Sequence, residues 1–189
     1  MKTYPKAVLA GLAAVTAATM ASPAPAASAE TVTISVDENY SQTVWEPDGV
    51  QFTCPTDQVL TGRSHYGDEN KQTTYYCSSI WINGERVQVR VLDWSYAQRE
   101  SSHVYMAPAG QALVGRWHQG DENGLTRYRP AQLFWQGRLV GLTGAGWTYA
   151  YKESKHTSKA GYNQVMTGRK HTGDENGSTL YQYATVTVG

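Results

Sequence analysis

Gly62-Arg63-Ser64-His65-Tyr66-Gly67-Asp68-Glu69-Asn70-Lys71-Gln72-Thr73-Thr74-Tyr75 decides the fold, because its pattern returns twice at a constant interval. The second copy runs from Gly115 to Tyr128 and the third from Gly168 to Tyr181, each 53 residues after the last. The shared pattern is Gly-Arg-x-His-x-Gly-Asp-Glu-Asn-x-x-Thr-x-Tyr, with no insertion or deletion inside it. Self-similarity at a fixed period marks a repeat architecture. The boundaries that suit this period are 30–82, 83–135 and 136–188. Three closing copies imply three equivalent surfaces, which favours a multivalent binder over an enzyme with one cleft.

Within a repeat the apolar positions follow a strand period. Val32-Thr33-Ile34-Ser35-Val36 alternates, and so does Val87-Gln88-Val89-Arg90-Val91, with Val140-Gly141-Leu142 as the third equivalent. Ile34, Val87 and Val140 share one phase with Val36, Val89 and Leu142, which marks the core side. A second strand is expected over about 42–52, with equivalents beginning at Ser95 and Thr148. A third covers Gln58 to Arg63, and a fourth runs from Thr73 to Ile82. No apolar stripe of 3.6-residue period carries helix caps at both ends. The fold class is therefore all-β, with about four strands per repeat. A three-fold pseudosymmetric β-prism is the expected form, and a β-trefoil is the alternative.

Residues 1–29 read as a secretory signal peptide. Lys2 and Lys6 precede an apolar stretch, and Ala27-Ser28-Ala29 ends it as a cleavage signature. The remaining 160 residues, 30–189, leave space for the three repeats in a single β domain. Removal of Lys2 and Lys6 leaves 14 basic residues against 16 acidic ones, a net charge of −2. No basic stripe is present to hold a phosphate backbone, so nucleic acid is excluded as a partner. No later segment has the apolar length of a membrane span. Cys54 and Cys77, the only two cysteines, are expected to form a disulfide in an exported chain. It would close a loop of about 24 residues, worth roughly 3 kcal/mol by restricting the unfolded chain.

The repeated residues occupy a hairpin. Gly67-Asp68-Glu69-Asn70 specifies a tight turn, since Gly and Asn tolerate positive φ and Asp bonds nearby amides. With Glu69 at the apex, His65 faces Thr73 and Arg63 faces Tyr75, all on one side of the hairpin. The equivalents are Arg116, His118, Thr126 and Tyr128, then Arg169, His171, Thr179 and Tyr181. Two readings stand. In one, these are cross-strand pairs that serve folding. In the other, they point outward and bind a ligand, because apolar positions drift (Leu60, Leu113, Met166) while seven polar types do not.

The second reading suits sugar hydroxyls. Planar carboxylates and amides bond them directionally, Arg donates from a rigid fork, and Tyr offers a face to a pyranose. The candidate ligand-binding residues of the first repeat are Arg63, His65, Asp68, Glu69, Asn70 and Tyr75. Those of the second are Arg116, Trp117, His118, Asp121, Glu122, Asn123 and Tyr128, with Trp117 as the exposed stacking ring. Those of the third are Arg169, His171, Asp174, Glu175, Asn176 and Tyr181. Asp, Glu and Asn are also hard oxygen ligands, so a calcium-assisted site is an alternative to one without cofactor.

Trp94-Ser95-Tyr96-Ala97 and Trp147-Thr148-Tyr149-Ala150 are a further matched pair, continuing to Glu100 with His103 and Glu153 with His156. At the same 53-residue offset the first repeat has Ser41, Pro47 and Val50 instead. Trp81 and Trp135 read as packing residues. Ser101 and Ser154 lie near a histidine, but no nucleophile elbow or metal-binding His pair accompanies them. Asp68 and Glu69 sit together in a solvated turn, a poor setting for glycoside hydrolysis.

At Cys54-Pro55, Gln58-Val59-Leu60-Thr61-Gly62, His65 and Tyr75-Tyr76-Cys77 the first repeat resembles a dermatopontin-type repeat. The resemblance implies an extracellular adhesion or carbohydrate-binding role with sites on the hairpins. The expectation is thus a secreted, lectin-like protein that binds polysaccharide or cell-surface glycans through three equivalent hairpins, with no catalysis. A secreted adaptor for other extracellular proteins, pairing through Thr31 to Val36, is the alternative; a glycan-acting hydrolase is the third.

Overall fold

Strands form wherever β-branched and aromatic residues alternate between turn signals. The computed structural model describes residues 1–3, 31–46, 48–68, 71–121 and 123–188, and the expected signal peptide lies almost wholly outside them. The first repeat supplies β1 (Ile34–Trp45), β2 (Asp48–Thr53), β3 (Gln58–Tyr66) and β4 (Gln72–Ile82). The second supplies β5 (Glu85–Arg86), β6 (Gln88–Val91), β7 (Gln98–Arg99), β8 (Ser102–Met106), β9 (Gln111–Gln119) and β10 (Leu125–Trp135). The third supplies β11 (Arg138–Leu139), β12 (Gly141–Trp147), β13 (Tyr151–Lys152), β14 (Lys155–Lys159), β15 (Gln164–Thr172) and β16 (Ser178–Thr187). The described residues contain strands and turns and no helix.

These strands make three antiparallel sheets of one plan. At the centre of each is a hairpin, β3–β4, β9–β10 or β15–β16. One flank comes from the same repeat, β1, β6 with β7, or β12 with β13, while the two-residue strands β5 and β11 pair with β4 and β10 of the preceding repeat. The other flank is borrowed. β14 of the third repeat pairs with β3, β2 of the first pairs with β9, and β8 of the second pairs with β15. Each repeat therefore gives its short strand to a neighbour and receives one in return.

The glycine that opens the repeated pattern makes the exchange possible. A Cβ at Gly62, Gly115 or Gly168 would lie 2.8, 2.5 or 2.6 Å from a carbonyl oxygen of the borrowed strand. Just before each glycine, Thr61, Val114 and Thr167 are bulged out of register. A bulge inverts the alternation of a strand. Leu60 and Arg63 thereby face the same side, opposite Cys77 and Tyr75 on β4.

Two apolar clusters result. Val59, Ile80, Val87, Leu133, Val140 and Val186 belong to an aliphatic one at the base of the hairpins. Ile34, Val36, Val89 and Leu142 pack against it, on the side the alternation assigns to the core. Leu60, Leu113 and Met166 join Phe52, Tyr75, Tyr128 and Tyr181 in an aromatic cluster nearer the turns. Cys54 and Cys77 form a disulfide inside that second cluster. The expected second strand differs from the observed one. In the first repeat β1 continues to Trp45 and β2 begins only at Asp48, while residues 94–97 and 148–150 are outside any strand.

Candidate functional site

The hairpin pairing is as the turn chemistry dictates: His65 lies opposite Thr73 and Arg63 opposite Tyr75, with His118, Arg116, His171 and Arg169 placed alike. Their direction is not. The expectation that these hairpins offer Arg, His and Tyr outward is corrected, because all nine side chains are buried. Arg63, Arg116 and Arg169 meet three buried glutamates that the hairpins do not supply. Glu46 contacts Arg63 and Arg116, Glu100 contacts Arg116 and Arg169, and Glu153 contacts Arg169 and Arg63. Most of these contacts span 2.7–3.1 Å, and together they close a ring of alternating charge. Three positive and three negative groups leave the ring neutral, which burial in a low-dielectric interior demands.

Each glutamate precedes or opens the segment that crosses to another sheet, so the ring is tied to the strand exchange. Its hydroxyl neighbours complete it. Thr73, Thr126 and Thr179 accept from the guanidinium groups of Arg63, Arg116 and Arg169. Tyr75 donates its hydroxyl proton to Glu46 and accepts from Arg116. In the other two repeats a histidine takes the place of that glutamate oxygen. Tyr128 donates to His103 Nε2 at 2.6 Å and Tyr181 to His156 Nε2 at 2.7 Å.

These bonds fix the histidine protons. His103 Nδ1 donates to the Glu100 carbonyl and His156 Nδ1 to the Glu153 carbonyl, so each Nε2 is a bare acceptor and the ring is neutral. Burial first, and the neighbouring Arg169 or Arg63 second, push His103 down to about 3 and His156 down to about 4. Burial and Arg169 likewise bring His171 to about 4. His65 and His118 are lowered by burial and by Arg63 and Arg116. Burial alone would raise the glutamates, but the paired arginines overcome it and hold Glu46, Glu100 and Glu153 well below the usual carboxylate range. Neither His103 nor His156 is bonded to Ser101 or Ser154; both ring nitrogens of each are engaged elsewhere.

The turns are exposed at Asp68, Asp121, Asn123, Asp174 and Asn176, while Glu69, Asn70 and Glu122 lie outside the described residues. Asp121 and Asp174 each accept from the amide two residues on, Asn123 and Asn176, at 3.0 and 2.8 Å. Asn176 also donates to Glu175. Backbone bonds dock the turns on neighbouring segments, Gly67 to Ser154 and Gly173 to Ser101. Among the described residues, no group of three or more His, Cys, Asp and Glu is arranged to hold a metal ion.

The outward faces of the same hairpins differ from sheet to sheet. On the first, Thr74 bonds Thr43 at 2.8 Å, and Ser64 bonds both Tyr76 and Thr157 at 3.1 and 2.9 Å. On the third the corresponding positions are Lys170, Leu180 and Gln182. On the second they are Trp117, Arg127 and Arg129. Arg127 lies over the Trp117 ring and Arg129 over the Trp94 ring, each 5.4 Å from the centroid. Gln51, Trp94, Trp117 and Arg127 line an open cleft of about 200 Å³. Trp117 is thus half-exposed at a cleft wall, the one sequence-derived ligand candidate of the second hairpin with a ring facing outward.

Glu46, Gln51, Arg127 and Arg129 escaped sequence reasoning. Glu46 stands 54 residues before Glu100 whereas Glu100 stands 53 before Glu153, so a rigid period aligns Pro47 instead. With this geometry in hand, comparison of the chain with protein-family models, curated proteins and solved structures gives no match.

Proposed function

We propose that the protein is a secreted, non-catalytic carbohydrate-binding protein of lectin type, a β-prism of three pseudosymmetric sheets that binds glycan on outer sheet faces. The observation that carries this reading is the cleft of Gln51, Trp94, Trp117 and Arg127 on the second sheet. Two indoles, each with an arginine over one ring face, supply apolar surface for the C–H face of a pyranose, while Gln51 and Arg127 supply directional bonds to its hydroxyls. Such a mixture of aromatic wall and few polar groups is the usual make-up of a small-ligand site. The leader sequence and the Cys54–Cys77 disulfide support export. The dermatopontin-type resemblance of the first repeat supports an extracellular role directed at carbohydrate.

The hairpin motifs serve this function by holding the sheets together. Every ring glutamate is buried and bracketed by two arginines, so none is placed to transfer a proton to a substrate. This supports binding over hydrolysis. The adaptor reading has β1 at a sheet edge, open to strand addition. However, β1 is bulged between Glu38 and Tyr40 and carries Asp37 and Glu38 there, features that blunt an edge against pairing.

Glycan arrays and polysaccharide pull-downs, run with calcium and with chelator, test the proposal. Binding that persists in chelator and falls about tenfold (~1.4 kcal/mol) in Trp117→Ala, with an unchanged melting temperature, is the expected result. A blank array together with no polysaccharide retention would overturn it.

A further inference from the structure

We infer that the third sheet carries a second glycan site, built on Trp147 and Tyr149, which makes the protein bivalent; this rests on the carbohydrate-binding reading above. The starting observation is one residue of chain length. Ser41, Gln42 and Thr43 pair without interruption along β4 in the first sheet. The second and third repeats have one residue more before their glutamates, and there the pairing breaks at Trp94–Ala97 and after Trp147. The two loops are built alike. Ser95 and Thr148 donate their amides to the carbonyls of Tyr128 and Tyr181 at 2.8 and 2.9 Å. Their hydroxyls accept from the amides of the same tyrosines at 3.0 and 3.1 Å. The same hydroxyls donate to the carbonyls of Tyr96 and Tyr149 at 3.0 and 2.8 Å.

A hydroxyl thus stands in for the strand carbonyl that would accept from Tyr128 or Tyr181, and the next side chain is thrown outward. Tyr96 is 95% exposed and Tyr149 91%. Each follows two residues after a tryptophan, and on the third sheet that leaves Trp147 and Tyr149 both exposed within three residues of chain. The backbone that presents them is anchored to Tyr128 and Tyr181, whose hydroxyls sit in the charged ring. Little ordering cost therefore remains to be met on binding.

What the two loops share is the aromatic pair, and what differs is its surround. Trp94 has Arg129 over it, and Trp117 and Arg127 nearby. Trp147 stands opposite Gln182, and Lys170 takes the position of Trp117. A shared flat apolar element matches the feature common to pyranoses, their C–H face; the variable polar arms match hydroxyl patterns that differ between sugars. The first sheet has Ser41 at the tryptophan position and no loop, so it contributes no third site.

Two sites on separate sheets would bridge polysaccharide strands and raise avidity by about 10²-fold or more over one. Isothermal titration of the full chain with an oligosaccharide taken from the array should give two sites. Tyr149→Ala should leave one, Trp117→Ala with Tyr96→Ala should leave the other, and the triple variant none, all with wild-type melting temperatures. Turbidity with the parent polysaccharide should appear for wild type and vanish for either single-site protein. One site per chain, unaltered by Tyr149→Ala, would overturn bivalency while carbohydrate binding stands. Absence of binding to every glycan would remove the reading beneath it as well.

Discussion

The inner and outer faces of the three central hairpins use neighbouring residues for opposite ends. Inward, Arg, His, Thr and Tyr are the same in all three copies, because each must fit a closed ring in which every charge touches two of the other sign. Outward, one residue along, the copies share nothing: Ser64, Trp117 and Lys170, or Thr74, Arg127 and Leu180. A ring tolerates no substitution at one corner, since the other corners are already committed. The outer face has no such constraint and is free to acquire different chemistry. Identity among repeats here marks what holds the molecule together, and divergence marks the faces that are free to differ from sheet to sheet.

The comparison breaks most sharply at one corner of the ring. Arg169→Met strands Glu100 and Glu153 with a single arginine each, and urea unfolding should show a loss of about 3–5 kcal/mol. Acid sharpens it next. The histidines resist protonation in the folded chain, down to about 3 for His103 and about 4 for His156 and His171, but protonate near 6.5 once unfolded. Below pH 6.5 the unfolded state binds more protons, so stability falls with pH by up to about 1.4 kcal/mol per unit per histidine. The contribution levels off beneath the folded values. The glutamates, lowered from 4.5, add a second loss that begins near that pH and deepens as it drops. Melts recorded from pH 7.5 down to 4 should fall steadily, and a flat profile would mean the histidines are not sealed from solvent. The smallest effect belongs to the outer face: Lys170→Ala should move stability by no more than about 0.5 kcal/mol.

Much of this was written in the sequence. The turn residues around Gly67 and the period-2 alternation fixed which residues face one another, and Ile34, Val87 and Val140 marked the core side. What stayed hidden was the direction of the hairpin. Arg63, His65 and Thr73 alternate as a solvent-facing strand would, and charged residues are rarely buried without partners. The partners lie 17 residues away at Glu46 and 90 away at Glu153, one of them displaced from the repeat period. The bulge at Thr61 hid the inversion too, since no residue preference announces it. Trp117 stood out because it is the one aromatic ring at a position that holds Ser64 and Lys170 in the other copies.

The borrowed strands carry a consequence for synthesis. The first sheet is completed only by Lys155–Lys159, and Arg63 gains its second glutamate only with Glu153. A polypeptide halted before that point has an open sheet edge at β3 and a half-compensated guanidinium in its interior. The nascent chain consequently stays unable to lock until nearly all of it has been made. It also means that prematurely terminated products cannot reach the native state.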